Sequence, residues 1–282
     1  MRTRSFSSSK GILYLVATPI GNLGDFSYRA IEILKSVDKI YAEDTRNSIT
    51  LLRHYNITTP LESYHEFNQD TKTDVVVEEL EKGLNIAIIS DAGLPIISDP
   101  GYKIVKEASK KGLPISTIPG ASAGISALIA SGLAPMPYTF YGFLDSKKTK
   151  RIKELEDLKY ITHTIIFYEA PHRIMETLAD MLEVFGNRNI VIARELTKTF
   201  EEYIRGTIKE ILELDNIKGE LVLIVDGYKE EIKLDADPFV HIEELISLGY
   251  KPNEAIKEIS RLYNLDRKEL YKNYLDFKNQ RE

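Results

Sequence analysis

Two clusters of charged side chains in this chain have the types and positions needed for proton transfer or anion binding. Glu43-Asp44-Thr45-Arg46 and Tyr168-Glu169-Ala170-Pro171-His172-Arg173 each follow a short apolar run. Carboxylates and imidazoles can accept a proton, and guanidinium groups bind phosphates. The first segment equally suits a structural ion pair, and His172 equally suits the exposed start of a helix.

A second set of residues indicates a pocket for a small molecule. Three turns each follow a β-branched, apolar run: Thr18-Pro19-Ile20-Gly21-Asn22, Ser90-Asp91-Ala92-Gly93-Leu94-Pro95 and Pro119-Gly120-Ala121-Ser122-Ala123. Ligands of open α/β sheets bind beyond the carboxyl ends of the strands, and small residues let a ligand approach the backbone. Asp91 is therefore expected to contact a ligand, whereas Asp99, which precedes Pro100, is expected to cap the next helix.

A basic run contains the residues best suited to contact a phosphate backbone. Lys147-Lys148-Thr149-Lys150-Arg151-Ile152-Lys153 has five cations in seven residues. Such a run is most often a solvated helix face, but it could also bind nucleic-acid phosphates. On the second interpretation, the RNA-binding residues are Lys147, Lys148, Lys150 and Arg151.

The composition limits the classes of protein and of site. The 282 residues fit one large or two medium domains, and the net charge of −6 argues against a general nucleic-acid coat. The lack of cysteine excludes disulfides and thiolate nucleophiles and suits the cytoplasm, where we expect the protein to be. No apolar run approaches the roughly 18 residues of a membrane span. The basic start, Met1–Lys10, is interpreted as a frayed terminus that precedes the first strand.

Strand and helix patterns alternate along most of the chain, which predicts an α/β protein. Residues 11–134 are expected to form a first domain whose mainly parallel sheet is covered on both faces, and residues 135–228 a second α/β domain. Leu133–Pro137 has two prolines and is the expected linker between them. From 235 to 282 only helical periodicity remains, which predicts a small helical appendix.

The bounds of most elements can be predicted from periodicity and turn residues. The strands expected in the first domain are Leu13–Thr18, Lys39–Ala42, Leu61–Tyr64, Ile86–Ser90 and Ile115–Ile118. The helices expected there are Tyr28–Ser36, Ser48–His54, Thr73–Lys82, Tyr102–Lys111 and Ser122–Ser131. The second domain is expected to contain strands Thr139–Phe143, Thr164–Tyr168, Asn189–Ala193, Glu202–Arg205 and Leu221–Val225.

Taken together, seven segments resemble those of the ribosomal RNA methyltransferases of the tetrapyrrole methylase superfamily. They occur in the same order and with compatible spacing between about Gly11 and Gly227. The segments are Leu13–Leu23, Glu43–Arg46, Ser90–Gly93, Ser98–Gly101, Pro119–Ser122, Tyr168–Arg173 and Arg194-Glu195-Leu196-Thr197-Lys198. The helical tail resembles the helix-turn-helix-like appendix of the same enzymes.

This resemblance implies a fold, a cofactor and a substrate. It implies two α/β domains with S-adenosylmethionine between them, a homodimer, and 2′-O-methylation of a cytidine ribose in the decoding centre of 16S rRNA, within the 30S subunit. By motif position, the cofactor would contact Pro19, Ser90, Asp91, Ala92, Gly93, Ser122, Ala123, Tyr168 and Glu169. The chain departs from the family pattern at Leu94, where Thr is usual, and at Asp145-Ser146, where Pro-Arg is typical.

Methyl transfer from a sulfonium is an in-line displacement that requires aligned reactants and a base for the 2′-OH. No metal is needed, because a sulfonium is already an activated leaving group. A carboxylate or His172 would take the proton, and Arg46, Arg173 or Lys147 would bind phosphates. The residues expected to face the transfer point are Glu43, Asp44, Arg46, Glu169, His172 and Arg173.

Three other functions are compatible with parts of the sequence. The same fold could methylate a carbon of a tetrapyrrole, although the basic run and the two charged segments argue against this. A nicotinamide-dependent oxidoreductase is disfavoured because the chain has no Gly-x-Gly-x-x-Gly fingerprint. A non-catalytic RNA-binding module would bind rRNA without S-adenosylmethionine. The helical tail could serve docking, dimer stabilisation or RNA positioning.

Overall fold

The computed structural model describes residue 6 and residues 9–214, 217–229, 237–247, 249–263 and 265–279. Most of the predicted frayed terminus lies outside the described residues, as do positions 235, 236, 248, 264 and 280–282 of the predicted appendix. Residues 1–228 form one compact unit, and residues 229–282 form a second.

The first unit begins with a five-stranded parallel sheet, as the alternating pattern predicted. Its strands are β1 (Leu13–Val16), β2 (Lys39–Ala42), β3 (Leu61–Ser63), β4 (Ile86–Ile89) and β5 (Ile115–Ile118). Their order is β3-β2-β4-β1-β5, and every pairing is parallel. All four residues of the central β4 are buried, which agrees with a sheet covered on both faces.

Helices α1 to α4 join the strands of this sheet, and α5 follows its last strand; all lie within a few residues of their predicted bounds. They are α1 (Tyr28–Ser36), α2 (Thr45–His54), α3 (Gln69–Glu81), α4 (Tyr102–Lys110) and α5 (Ala123–Ser131). A 3₁₀ helix at Leu23–Asp25, which was not predicted, precedes α1. Helix α2 begins three residues before its predicted start because the Asp44 carboxylate caps it by accepting the backbone N–H of Arg46. Helix α3 begins four residues early, since its first turn, Gln69–Lys72, is polar and gives no apolar periodicity.

A second sheet of five strands follows in the same unit, with mixed strand directions. Its strands are β6 (Tyr138–Phe143), β7 (Thr164–Glu169), β8 (Asn189–Arg194), β9 (Glu202–Thr207) and β10 (Leu221–Val225). Their order is β6-β7-β10-β8-β9, and only β6 and β7 pair in parallel. The helices of this part are α6 (Lys148–Leu158), α7 (Ile174–Phe185) and α8 (Ile208–Leu212).

Helix α5 packs on the second sheet, although it precedes the predicted linker. Its buried Ala127 and Leu128 belong to one apolar cluster with Ile166, Val191 and Val222 of β7, β8 and β10. Periodicity shows that α5 has a buried face but does not show which sheet covers that face. The chain therefore passes from the first sheet to the second between the end of β5 and the first turn of α5.

The second unit is helical within its described residues. It contains α9 (Pro238–Ser247), α10 (Pro252–Leu262) and α11 (Arg267–Asn279). These helices have a core of their own, formed by Ile242, Ala255, Ile256, Ile259, Leu270 and Tyr274. Among the described helices of the whole chain, none has the length and apolar character to cross a bilayer.

Candidate active site

A cavity of about 420 Å³ opens between the two sheets of the first unit. Residues after β4, at the start of α5, at the end of β7 and at the start of β10 line it. Seven of the nine predicted cofactor residues are among them: Asp91, Ala92, Gly93, Ser122, Ala123, Tyr168 and Glu169. The three turns predicted to form one pocket therefore converge through Ile20, Gly93 and Ser122.

The other two predicted cofactor residues, Pro19 and Ser90, lie outside the cavity lining. Ser90 is buried, and its hydroxyl donates a 2.9 Å hydrogen bond to the carbonyl oxygen of Gly93. The backbones of Thr18 and Gly93 also exchange hydrogen bonds of 2.9 and 3.1 Å. Gly93 has φ of +80°, a value that favours glycine. Ser90 thus supports the loop whose next residues face the cavity.

Asp99 is a lining residue, and its expected role as a helix cap is wrong. Helix α4 has Gly101 at its N-cap position and no side-chain cap. The loop before it turns twice through the left-handed region, at Ile96 (φ +77°) and Ser98 (φ +68°). Asp99 follows these turns and lines the cavity together with Ile97 and Ser98.

The conformation of this loop is costly and is held by packing. A non-glycine residue in the left-handed region costs about 1–2 kcal/mol, and a β-branched Ile is a rare occupant. A Cβ atom at position 101 would lie 2.9 Å from Cγ1 of Ile96, so Gly101 leaves the room that Ile96 needs. Strain of this kind clusters at functional sites, and here it positions a carboxyl group.

Three carboxyl groups act on one another beside the cavity: Glu43 after β2, Asp91 after β4, and Asp99. Burial, followed by the charges of Glu43 and Asp91, raises the pKa of Asp99 to about 7. Burial and the charge of Asp91 also raise the pKa of Glu43. The carboxyl groups of Glu43 and Asp99 thus influence one another's pKa, and Asp91 accepts a 3.0 Å bond from the Asn47 amide.

Asp44 and Arg46, which were predicted to face the transfer point, lie outside the cavity lining. The Asp44 carboxylate accepts bonds from Nε and Nη2 of Arg46 at 3.0 and 2.7 Å. The side-chain and backbone hydrogen bonds from Arg46 lower the pKa of Asp44 to about 2. Asp44 and Arg46 therefore form a structural ion pair, which was one of the two possibilities for this segment, and Asp44 caps α2.

Glu169, which is buried and lines the cavity, pairs with the partly buried Arg173. One oxygen of Glu169 accepts from Arg173 Nε at 2.5 Å and from the Ala170 N–H at 2.7 Å, and the other accepts from Thr177 at 2.6 Å. Arg173 also donates to the carbonyl oxygen of Leu144 at 3.0 Å. His172, between them in sequence, is exposed and does not line the cavity.

Aromatic and apolar residues that sequence reasoning missed complete the cavity wall. The Tyr168 ring meets Phe143 edge-on at 5.5 Å, and its hydroxyl accepts a 3.3 Å bond from the Gly124 N–H. Leu221 and Val222 come from the amino end of β10. They were not predicted, because ligand-binding residues were expected at the carboxyl ends of strands. β10 runs antiparallel to β7, so its first residue, Leu221, pairs with Glu169 at the carboxyl end of β7.

The basic run divides into exposed and buried cations. Lys147, Lys148 and Lys150 are exposed around the start of α6. Arg151 is buried, and its Nε donates a 2.7 Å bond to Asp180, a carboxylate that is buried too. The Arg151 side chain is thus part of the core beside α7, and only the lysines of the predicted RNA-binding set are offered to solvent.

Comparison with known proteins identifies the family. The model of the Tetrapyrrole (Corrin/Porphyrin) Methylases matches residues 12–212. The chain belongs to this family. Its similarity to Ribosomal RNA small subunit methyltransferase I of Bacillus subtilis (strain 168) is 49% identity over 285 residues, covering 97% of this chain and 98% of that protein. The tetrapyrrole methylase resemblance drawn from seven segments is therefore confirmed.

Two solved structures agree with the architecture described above. Diphthine synthase matches with a TM-score of 0.60 at 13% identity, covering 77% of this chain and 89% of that one. Uroporphyrin-III C-methyl transferase from Thermus thermophilus, complexed with S-adenyl homocysteine, matches with a TM-score of 0.55 at 14% identity, covering 77% and 97%. Together with the family match, these findings confirm the predicted fold class and S-adenosylmethionine as the cofactor of this methyltransferase family.

Proposed function

We propose that this protein transfers a methyl group from S-adenosylmethionine to the ribose 2′-OH of a cytidine in the decoding centre of 16S rRNA. The observation that carries the proposal is the cavity between the two sheets, where an apolar wall meets the Asp91 and Asp99 carboxyl groups. A relative at 49% identity over nearly its whole length is named as a methyltransferase of small-subunit ribosomal RNA.

The lining residues fit the parts of S-adenosylmethionine. Ala92, Gly93 and Ala123 offer small side chains and accessible backbone, and Leu196 and Val222 offer an apolar surface for an adenine. Asp91 can accept hydrogen bonds from ribose hydroxyls or from the ammonium group. When bound, the cofactor supplies an electrophilic methyl group on a sulfonium. The protein has to exclude water and hold the acceptor oxygen roughly 3–3.5 Å from that methyl carbon.

The predicted catalytic set divides into residues that touch the cavity and residues that support it. Glu169 lines the cavity, and its bond to Arg173 holds the turn after β7. Asp44 holds the start of α2, so that the neighbouring Glu43 reaches Asp99. We propose that the exposed Arg46 and His172 approach the RNA rather than the sulfonium.

Exposed lysines support the proposed RNA contact. Lys147, Lys148 and Lys150 surround the start of α6, which follows the cavity residue Phe143 after four residues. Each cation that neutralises a phosphate steepens the loss of affinity with salt. The substrate is proposed to be the 30S subunit, and the protein is proposed to act there as a homodimer in the cytoplasm.

The proposal is tested by mass spectrometry of 16S rRNA from a strain that lacks the gene and from the same strain with the gene restored. We expect one ribose methyl group on one cytidine to be lost and to return. In parallel, purified protein is incubated with labelled donor and either 30S subunits or uroporphyrinogen. Methylation of uroporphyrinogen with unmodified 30S subunits would contradict the proposal and favour a tetrapyrrole methylase.

A further inference from the structure

The proposed reaction requires a group that removes the proton of the 2′-OH, and we propose that Asp99 is this catalytic base and that Glu43 is its positioning residue. This inference rests on the proposed function and adds a role that the sequence did not assign. Asp99 lines the cavity between the sheets, where its carboxyl group interacts with the charge of Glu43. The loop that carries Asp99 is strained at Ile96 and Ser98, as expected for a segment that fixes a reacting group.

The other carboxyl groups near the cavity have environments that do not suit a base. The carboxylate of Asp44 is bound to Arg46 and its pKa lies near 2, so its basicity at neutral pH is low. Glu169 accepts three hydrogen bonds, which engage both of its oxygens. Asp91 is exposed and already accepts the Asn47 amide. Glu220, also on the lining, lies 3.0 Å from the Lys198 ammonium.

The titratable groups that act on Asp99 come from several elements. Glu43 and Asp91 raise its pKa by their charges, after the larger effect of burial. Asp99 in turn raises the pKa of Tyr168, which burial already keeps in the phenol form. No Lys, Arg or His side chain is among the described residues that line the cavity. Because no cation on the described part of the lining stabilises its carboxylate, Asp99 can hold a proton below about pH 7 and release it at higher pH.

At low pH the Asp99 carboxyl group holds a proton, which blocks its action as a base. Once the proton leaves, the Asp99 carboxylate is partly buried beside other negative charges, and it becomes a stronger base than an exposed aspartate. A base with a pKa near the working pH is the most effective for general-base catalysis.

The proposed step balances in atoms and charge. The 2′-OH proton passes to the Asp99 carboxylate while an oxygen lone pair forms the new O–CH₃ bond. The bond between that methyl carbon and the sulfonium breaks, and the sulfur keeps its electron pair. The products are the methylated ribose, a neutral thioether and a protonated Asp99, which then releases its proton to solvent.

The test is single-turnover methylation of 30S subunits between pH 5.5 and 9 by the full-length protein and three variants. The wild-type rate should rise about tenfold per pH unit below about 7 and then level off, because the base must lose its proton. Asp99→Asn should be slower by about 10²–10⁴-fold, the usual contribution of a general base, and should lose this pH dependence. Asp157→Asn, at an exposed position on α6, is the matched control and should behave as wild type.

Glu43→Gln gives a second readout that a merely structural role would not produce. Removing the Glu43 charge stabilises the ionised form of Asp99, so the midpoint of the pH–rate profile should move to lower pH.

Calorimetry should show that Asp99→Asn still binds S-adenosylmethionine within a few-fold of the wild-type affinity. Thermal unfolding should show that the variant folds, with its stability relative to wild type improving as pH rises from 4 to 8. The reason is that the raised pKa of Asp99 stabilises the wild-type fold below its unfolded-state value and ceases to do so above about 7.

Two results would overturn the inference without touching the proposed function. One is a wild-type protein that methylates the subunit while Asp99→Asn does so at a similar rate with the same pH profile. The other is an Asp99→Asn protein that folds but whose affinity for S-adenosylmethionine falls by the same factor as its methylation rate. Asp99 would then bind the donor rather than act as the base. A wild-type protein that leaves 30S subunits unmethylated at every pH would instead overturn the proposed function, and this inference with it.

Discussion

At the scale of single residues, the partners of each carboxyl group decide what it can do. Asp44 receives a guanidinium and remains a weakly basic anion, whereas Glu169 receives three donors and becomes part of the framework. Burial, together with the neighbouring carboxyl groups of Glu43 and Asp91, raises the pKa of Asp99. The sequence showed that acidic residues follow the strands, but it did not show which donors each would meet. Asp99 was therefore mistaken for a helix cap.

The same contrast separates the cations of the basic run, and it predicts different effects of two similar substitutions. Arg151→Met should lower the free energy of unfolding by about 3 kcal/mol, because it leaves the buried Asp180 without its closest partner. We take the lower end of the usual range since Lys148 also lies 3.2 Å from Asp180. Lys150→Met, at an exposed position, should change stability by less than about 0.5 kcal/mol.

Urea unfolding at pH 7 and salt-dependent binding of 30S subunits would check this pair of variants. Lys150→Met should weaken binding and reduce the salt dependence, as expected for a lost phosphate contact. If Arg151→Met is as stable as wild type, the buried ion pair does not contribute as described here. If Lys150→Met binds with unchanged salt dependence, that lysine does not contact the RNA.

At the scale of elements, local patterns predicted most strands and helices, and long-range contacts decided what the patterns could not. β2 and β5 lie at their predicted bounds because polar residues, Glu43 and Asp44, follow β2 and a Pro-Gly pair follows β5. α5 was predicted within one residue, but its burial against the second sheet depends on residues up to about position 224. The direction of β10 also could not be predicted from its own five apolar residues, and so its part in the cavity was missed.

The loop after β4 shows how one backbone conformation supports the site, and Gly93→Ala tests it. Position 93 has φ of +80°, and a Cβ there would lie 3.2 Å from Ile20 and 3.4 Å from the carbonyl oxygen of Ala121. Alanine should lower the free energy of unfolding by more than about 1 kcal/mol and should weaken donor binding. Gly186→Ala is the matched control, since it has φ of +75° and no atom within 4 Å of the added Cβ.

Both glycine variants should lose stability in chemical unfolding, but only Gly93→Ala should lose donor affinity in calorimetry. Equal donor affinities in the two variants would mean that the loop conformation at position 93 is not needed to form the cavity. Equal loss of affinity in both would mean that stability, rather than local geometry, controls binding.

At the scale of the whole molecule, the two sheets of residues 1–228 differ in strand direction and together enclose one cavity. The parallel sheet contributes strand ends with charged residues, and the mixed sheet contributes aromatic and apolar residues from β7 and β10. The alternating strand and helix patterns predicted two α/β domains, and the turns after three strands predicted a pocket for a small molecule. The family resemblance added that S-adenosylmethionine would lie between the two domains. The helical unit has its own core, and its proposed roles in docking or RNA positioning stay predictions.

A crystal structure of the full chain with S-adenosylhomocysteine is the decisive test of the proposed donor site. We expect the adenosyl group to fill the space between the loop after β4 and the start of α5, with the sulfur on the side that Asp99 faces. Isothermal titration of the same protein preparation would establish how much ligand is bound. A fully occupied ligand outside this cavity would show that the donor does not bind there, and a sulfur pointing away from Asp99 would rule out Asp99 as the base.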